Sequence, residues 1–304
     1  MAFVEKREKG GHMQYYLATT FRENGKVRKK AVFLGTGLNP EQLEKLSDDA
    51  RVVLGEINFG KVLTAKEMDD FEELRGKLNK KISSMDPENF YQHFITEYTY
   101  DSNAIEGSSL TVQETAGVLF EGVSPANKPM RHVQEAKNHK NAFDFTMGLK
   151  QKTLSQGIIC GIQKRVVEST LANPEFEGCL RKVNVRVGTH IAPEWYSVPR
   201  KLGALIKWFN ANRKKQNPIV VAAYFHAEFE AIHPFVDGNG RAGRLLMNFM
   251  LKKAGYPPIT IFLKYRQRYY QALEKARKEK DFRPLIKIIK KSYQEMLKIY
   301  SPKE

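Results

Sequence analysis

Apolar side chains recur three and four residues apart over most of the chain beyond residue 86, which is the spacing of α-helices. Asn217-Pro218 is a typical helix start, and Gly255 is a typical stop. The pattern therefore predicts a mainly α fold, a bundle of helices. We expect these helices at residues 86–107, 131–147, 158–170, 218–232, 241–254, 265–276 and 283–299.

Two other segments have the features of strands, the first in its composition and the second in the alternation of Val183, Val185 and Val187 with polar residues and glycine. Residues 13–36 are rich in tyrosine, threonine and phenylalanine and contain turn residues at 23–26. They predict a β-hairpin. Residues 183–187 and 191–195 predict a second, smaller hairpin.

The pattern also divides the chain into two units. Residues 39–81 have mixed helical spacing that is interrupted near 55–60, and this part looks like a connector. We therefore predict a small N-terminal unit of hairpin and connector, residues 1–60, and a helical domain, residues 61–304.

The charge of the chain is large and unevenly placed. The 304 residues are 41% hydrophobic and 28% charged, which is typical of a soluble globular protein. The formal net charge is +16, and residues 252–304 alone contain 15 basic and five acidic side chains. Such a surface can attract nucleic acid, acidic proteins or the phosphates of ATP, but an ordinary solvated helix face is the better explanation, because basic composition alone indicates no binding groove.

Several classes of protein are not indicated. The two cysteines, Cys160 and Cys179, lack the spacing of a metal site or a disulfide framework. No stretch approaches 18 uninterrupted apolar residues, and the first ten residues contain five charges. We therefore expect no membrane span, no signal peptide and a cytoplasmic location.

Candidate chemistry is concentrated between His233 and Arg244. Gly238 and Gly240 can expose backbone N–H groups at the start of a helix, where anions bind. Arg241 and Arg244 can each fork onto phosphate oxygens, since they lie three residues apart on that helix. Asp237 is a hard oxygen ligand for Mg²⁺, and His233 can accept a proton. This combination suits attack of a hydroxyl group on a nucleotide phosphorus.

Gly238, Gly240 and Gly243 also fit the dinucleotide-binding pattern GxGxxG. That pattern requires a preceding strand and an acidic residue about 20 positions later. Here the preceding segment is predicted as a helix, and residues 261–270 contain no acid. The dinucleotide-binding interpretation therefore fails.

The string from His233 to Arg244 resembles the signature of the Fic family, HPFx[D/E]GNGRxxR, at every position. The resemblance covers about residues 90–289 and implies a Fic-type helical bundle with a β-hairpin flap. It implies a protein adenylyltransferase, which moves AMP from ATP to a Ser, Thr or Tyr hydroxyl of a target protein or of itself. The residues that it assigns are His233 as the base, Asp237 as the Mg²⁺ ligand, Gly238, Asn239 and Gly240 for the α and β phosphates, Arg241 for the β side and Arg244 for the γ phosphate.

A second motif lies upstream, at Ser102 to Gly107. Glu106 falls in the last turn of a predicted helix, where a negative charge is unfavourable. The segment resembles the inhibitory helix of Fic enzymes, [S/T]xxxE[G/N], in the subgroup that carries it on the N-terminal side. The resemblance implies that Glu106 pairs with Arg244 and blocks the γ phosphate.

The resemblance also assigns two binding surfaces. The flap at Val187, Gly188, Thr189, His190 and Ile191 would hold the backbone of the target beside His233. Tyr269 and Tyr270 would contact the adenosine end of ATP, while packing in an aromatic core is the competing account.

The sequence leaves several alternatives open. The same site could remove AMP from a modified target, with Glu106 aligning a water molecule. A nonenzymatic nucleotide- or nucleic-acid-binding protein is a third interpretation, based on the basic surface. The target, the transferred nucleotide and a homodimeric state are not determined, although the intact Gly240-Arg241 pair favours the ordinary nucleotide orientation.

Overall fold

The computed structural model describes residues 2–23, 26–43, 46–47, 50, 62–188 and 190–300. These residues are mostly helical, which confirms the predicted mainly α class. The helices are α1 (Ala65–Ser83), α2 (Pro87–Ile105), α3 (Val112–Ala116), α4 (Met130–Gly148), α5 (Gln156–Val167), α6 (Val198–Asn212), α7 (Pro218–Ile232), α8 (Asn239–Lys253), α9 (Arg266–Glu279) and α10 (Arg283–Tyr300).

Helix ends follow local sequence rules. Asp86 caps α2 by accepting a hydrogen bond from the Asn89 backbone N–H, and Pro87 occupies the first turn. Asn217 and Pro218 begin α7 in the same way. Gly107, just after α2, has a φ of +102°, which suits glycine. The predicted boundaries therefore differ from the observed ones by only a few residues.

The N-terminal sheet has one strand more than predicted. Its strands are β1 (Phe3–Lys9), β2 (His12–Glu23) and β3 (Lys26–Thr36), paired antiparallel in the order β1-β2-β3. The sequence prediction missed β1 because an edge strand with charged residues on both faces shows no alternation. The predicted turn residues 24–25 and the boundary between the two units at residues 60–61 lie outside the described residues.

Helix α7 is the centre of the helical bundle. Its residues are apolar on almost every side, and α6, α8, α9 and α10 pack around it. A helix that is hydrophobic all round is buried. The C-terminal end of α7 therefore places the turn that follows it in the middle of the domain.

None of the described helices is long and apolar enough to cross a membrane.

The second hairpin is shorter than predicted. Its strands are β4 (Arg186–Val187) and β5 (His190–Ile191), and Thr189 lies outside the described residues. Beyond the strands, the guanidinium group of Arg181 donates to the carbonyls of Val183 and Pro193. The strand predicted at residues 191–195 ends at Ile191, and residues 195–197 form a 3₁₀ turn.

Candidate active site

The turn between α7 and α8 puts His233 in a special backbone conformation. His233 ends α7 with a φ of +49°, and Pro234 disfavours further helix. Gly238, with a φ of +79°, then begins α8. The only non-glycine residues with positive φ among the described residues are Ser169, His233 and Lys280. Backbone strain of this kind is concentrated at functional sites.

The side chain of Asn239 braces this loop. Its Oδ1 accepts a hydrogen bond from the Phe235 N–H, and its Nδ2 donates to the Phe235 carbonyl, both at 2.9 Å. Asn239 is buried, so these two bonds use its amide group on the loop itself. The brace uses the side-chain amide of Asn239 and not its backbone N–H. The backbone N–H is therefore the group of Asn239 that is available for the predicted phosphate binding.

Asp237 lies within a small network of charges. Arg131 donates to Asp237 Oδ2 at 2.8 Å, and Arg241 approaches Asp237 Oδ1 at 3.4 Å. Both arginines also contact Glu135 Oε1, at 3.0 Å and 3.2 Å. Arg131 and Glu135 were not among the predicted site residues, although both lie on a predicted helix. Their contacts hold the two signature side chains in place from α4.

The Asp237 carboxylate is suited to a magnesium ion that arrives with phosphates. Its side chain is 36% exposed, so it can bind a ligand from solvent. The described residues contain no group of three or more His, Cys, Asp or Glu side chains placed to bind a metal ion. Mg²⁺ at nucleotide sites usually takes one or two carboxylates together with phosphates and water. A single aspartate therefore fits such an ion.

Arg244 connects α8 to the end of α2. Its side chain is buried, and it donates to Ser102 Oγ at 2.9 Å and to the Ser102 carbonyl at 2.8 Å. Nη2 also donates to Glu106 Oε1 at 2.8 Å. Burial opposes the charge of Arg244, but Glu106, together with Tyr269 and Glu230, raises the guanidinium pKa. The structure therefore brings together three residues that the sequence analysis connected only by resemblance.

The two tyrosines have different environments. Tyr269 is fully buried, its hydroxyl lies 2.7 Å from His226 Nε2, and its ring lies beneath Arg244. Tyr270 is 41% exposed, and its hydroxyl donates to the Ile105 carbonyl at 3.1 Å. Tyr269 therefore supports Arg244 from the core, while Tyr270 offers an aromatic face to a ligand.

A cavity of about 470 Å³, a volume within the range of small-molecule sites, is lined by Glu106, Arg244 and the two tyrosines. Four predicted site residues, Asp237, Gly238, Asn239 and Arg241, are not part of its lining. His233 lies in it, and burial lowers the pKa of its imidazole to about 4. The imidazole is therefore neutral at neutral pH and can accept a proton. Of the predicted site residues, the cavity is lined by Glu106, Val187, Gly188, His190, His233, Gly240, Arg244, Tyr269 and Tyr270. Ile191 is 65% exposed and is not part of the lining.

Arg181 connects the flap to the His233 turn, and the sequence analysis missed it. This fully buried side chain donates to the carbonyls of His233 and Val183 at 2.8 Å, and to that of Pro193. The backbone N–H of Arg181 donates to the Pro234 carbonyl at 2.9 Å. An arginine in a loop gives no sequence pattern that predicts such a role.

We expect Arg181→Lys to lower the free energy of unfolding by about 2–4 kcal/mol, because a single ammonium group cannot satisfy all of these buried carbonyls. Denaturant titration of the full chain measures this change. Arg186→Lys is the matched control, since Arg186 is exposed on the flap and the same substitution there should change stability by less than about 0.5 kcal/mol. Equal stabilities of the two variants would contradict the bracing role.

Comparison with known proteins places the signature turn in a described family. Residues 153–251 match the model of the Fic/DOC family. A protein adenylyltransferase Fic from Drosophila mojavensis is 30% identical over 285 residues, which are 88% of this chain and 53% of that protein. Another from Nematostella vectensis is 29% identical over 245 residues, which are 79% of this chain and 57% of that protein. The chain thus spans little more than half the length of these relatives.

A solved structure has the same fold. The Fic domain containing signaling protein from Bacteroides thetaiotaomicron superposes with a TM-score of 0.68 at 24% identity. The superposition covers 76% of this chain and 95% of the other. The fold is therefore that of a Fic domain.

Proposed function

Because this chain belongs to the Fic/DOC family, we propose that it transfers AMP from ATP to a hydroxyl group of a protein, and that Glu106 restrains this reaction. The observation that carries the proposal is the 2.8 Å ion pair of Glu106 and Arg244 inside the cavity that contains His233. Arg244, which would bind phosphate, and the neutral base His233 lie in one pocket. The Glu106 carboxylate is paired with the guanidinium group of Arg244. The names of the relatives support the same chemistry.

In the proposed reaction, the hydroxyl oxygen of a Ser, Thr or Tyr side chain attacks the α phosphorus of ATP. A new bond forms between that oxygen and the phosphorus, and the bond from the α phosphorus to the bridging oxygen of the β phosphate breaks. The hydroxyl proton passes to His233, and pyrophosphate leaves. His233 can accept the proton because burial keeps its imidazole neutral.

The beginning of α8 and its arginines would hold the triphosphate. Backbone N–H groups at Gly240 and the positive end of the helix dipole favour anions there. Arg241 and Arg244 add two guanidinium groups, and Asp237 would hold Mg²⁺, which supplies positive charge to the phosphates when it is bound. The edge of the flap at Val187 and Gly188 lies on the same cavity and would position the target backbone.

Glu106 interferes with this arrangement at two points. Its carboxylate occupies Nη2 of Arg244, and it also lies against Gly240, where an added Cβ would be only 2.2 Å from Oε1. A phosphate at this place would meet a negative charge and lose a charge-assisted hydrogen bond. Withdrawal of Glu106 would free both the guanidinium group and the space.

Radiolabelled ATP tests which group is transferred. We expect the Glu106→Gly chain, incubated with Mg²⁺, to retain label from α-³²P-ATP and none from γ-³²P-ATP, and its intact mass to increase by one AMP. Retention of the γ label would overturn AMP transfer and indicate a kinase. UTP and GTP in parallel identify the preferred nucleotide.

The rate should depend little on pH near neutrality. With saturating ATP, AMP incorporation by the Glu106→Gly chain should change by less than about twofold between pH 6 and 8, because an unperturbed histidine titrates near 6.5 but His233 has its pKa lowered to about 4. The unprotonated imidazole is the base, so activity is lost only as the pH falls through that lower value. A midpoint near pH 6.5 in the measured pH profile would contradict the neutral-base assignment.

Removal of AMP is a second candidate, since the Glu106 side chain is 35% exposed in the same cavity and could orient a water molecule. The Glu106→Gly chain that has modified itself provides a substrate. If hydrolysis is the physiological direction, adding the wild-type chain should return the modified chain to its original mass, and wild type carrying Glu106→Gln should not. An unchanged mass with the wild-type chain would leave transfer as the sole activity.

A further inference from the structure

Glu230 lies in the cavity of His233 and Arg244, and the reaction proposed above does not use it. It precedes His233 by three residues on α7, a helix whose other residues are mostly apolar. A buried carboxyl group needs a compensating interaction, since burial of an isolated charge is unfavourable. Glu230 lines the cavity together with Glu106, Gly240 and Arg244.

The carboxyl group is held against α8 beside the phosphate-binding arginine. Its side chain is only 13% exposed, and its Oε1 lies 4.0 Å from His226 Nδ1, too far for a hydrogen bond. Gly243 makes room for it, since a Cβ there would lie 2.4 Å from Oε1. Both Glu230 Oε1 and Arg244 Nη1 are buried and lack a hydrogen-bond partner among the described residues.

Burial favours the neutral form of Glu230. Burial raises the pKa of Glu230 to about 8, Arg244 opposes this increase, and Glu106 adds to it. At neutral pH the group is therefore mostly a carboxylic acid, which can donate a hydrogen bond. The titratable and charged groups that surround it are Glu106 after α2, Arg244 on α8, His226 and His233 on α7, Tyr269, Glu274 and Arg277 on α9 and His190 on the flap.

We propose that Glu230 is a nucleotide-binding residue that works in its neutral form and donates a hydrogen bond to the terminal phosphate of ATP beside Arg244. This inference rests on the proposed function, because it requires a nucleoside triphosphate in the cavity. The phosphate would accept one hydrogen bond from the partnerless Arg244 Nη1 and another from the carboxyl group of Glu230. An ionised Glu230 would repel it, so ATP affinity falls as the pH rises through the Glu230 pKa.

Binding of ATP and ADP at two pH values tests the proposal. The full chain with Glu106→Gly and His233→Ala, which prevents turnover, is titrated with each nucleotide and Mg²⁺ in a calorimeter. We expect ATP affinity to fall by about 10- to 100-fold between pH 7 and pH 9, since a group with a pKa of about 8 or lower changes its protonated fraction by at least a factor of ten over that range. ADP lacks the terminal phosphate, so its affinity should change by less than about twofold. Removal of Glu106 moves the midpoint to lower pH without changing the direction, because Glu106 raises the pKa.

Two further variants in the same background identify the titrating group. Glu230→Gln keeps a neutral donor at every pH, so ATP should bind with the parent's pH 7 affinity at both pH values. Glu228→Gln is the matched control on the same helix, since Glu228 pairs with Lys280 and lines a different cavity. It should retain the parent's pH dependence.

Three outcomes would overturn the inference: pH-independent ATP affinity in the parent, unchanged pH dependence in Glu230→Gln, or a parallel loss of ATP and ADP affinity. None of them would affect the labelling experiment, because AMP transfer by the Glu106→Gly chain is measured separately. Absence of AMP transfer together with absent ATP binding would instead refute the proposed function itself.

Discussion

Replacing Glu106 by glycine is expected to raise the rate of AMP incorporation by about 10- to 150-fold. The estimate follows because a hydrogen bond to a charged group contributes about 1.5–3 kcal/mol, and 1.4 kcal/mol corresponds to a factor of ten. In the structure, this bond from Arg244 to Glu106 must be broken before a phosphate can take the guanidinium group. Incorporation of label from α-³²P-ATP over time measures the rates of wild type and variant.

Glycine is compatible with the fold at this position. Glu106 is the C-cap of α2, so its replacement does not interrupt the helix. Glu106→Gln distinguishes the effect of the Glu106 charge from the effect of the space that its side chain fills. The variant retains the shape of the side chain and removes the negative charge that would repel a phosphate. It should activate less than glycine does.

Glu97→Gln is the control for a general effect of charge on α2. Glu97 lies on the same helix and does not line the cavity. It should leave the wild-type rate unchanged. Equal rates for wild type and Glu106→Gly, with a folded variant that binds ATP, would refute inhibition by Glu106.

Local sequence rules account for much of the fold and for the signature turn. Pro234 disfavours helix at His233, and glycine at 238 permits the positive φ before α8. Each effect depends only on neighbouring residues. The apolar face of α7 and the caps of α2 are likewise encoded within a few residues. Such features can be predicted from a single sequence, and the structure has them where they were expected.

Contacts between distant segments could not be predicted in this way. The Arg244 and Glu106 pair spans 138 residues, and only the resemblance to a family connected the two. Nothing in the residues near Arg181 indicates that it would bind the carbonyls of Val183 and Pro193. These interactions depend on the tertiary arrangement of the chain.

The sequence around Glu230 contains a signal of its position. It is an acidic residue within an apolar helix, three positions before the predicted base. A charge within such a pattern marks either a surface position or a site. The structure decides between them, because Glu230 faces the cavity while Glu228 pairs with Lys280 away from it.

Removal of the base should have the largest effect on the reaction. In the Glu106→Gly background, His233→Ala should lower the rate of AMP incorporation by about 10²–10⁴-fold, the contribution of a positioned general base. Arg181 holds the turn through the backbone carbonyl of His233, which the substitution retains. The lower rate should therefore reflect a slower chemical step. ATP affinity should remain within about threefold of the parent, since the phosphate contacts are on α8.

The backbone of His233 requires a second variant. Its φ of +49° is unfavourable for alanine but is tolerated better by asparagine. His233→Asn therefore keeps the turn while it removes the base. If the imidazole is the base, both variants should lose activity to a similar extent, and His233→Asn should unfold at nearly the parent's temperature. Activity retained in His233→Asn but lost in His233→Ala would show that His233 acts through the conformation of the turn and not as the base.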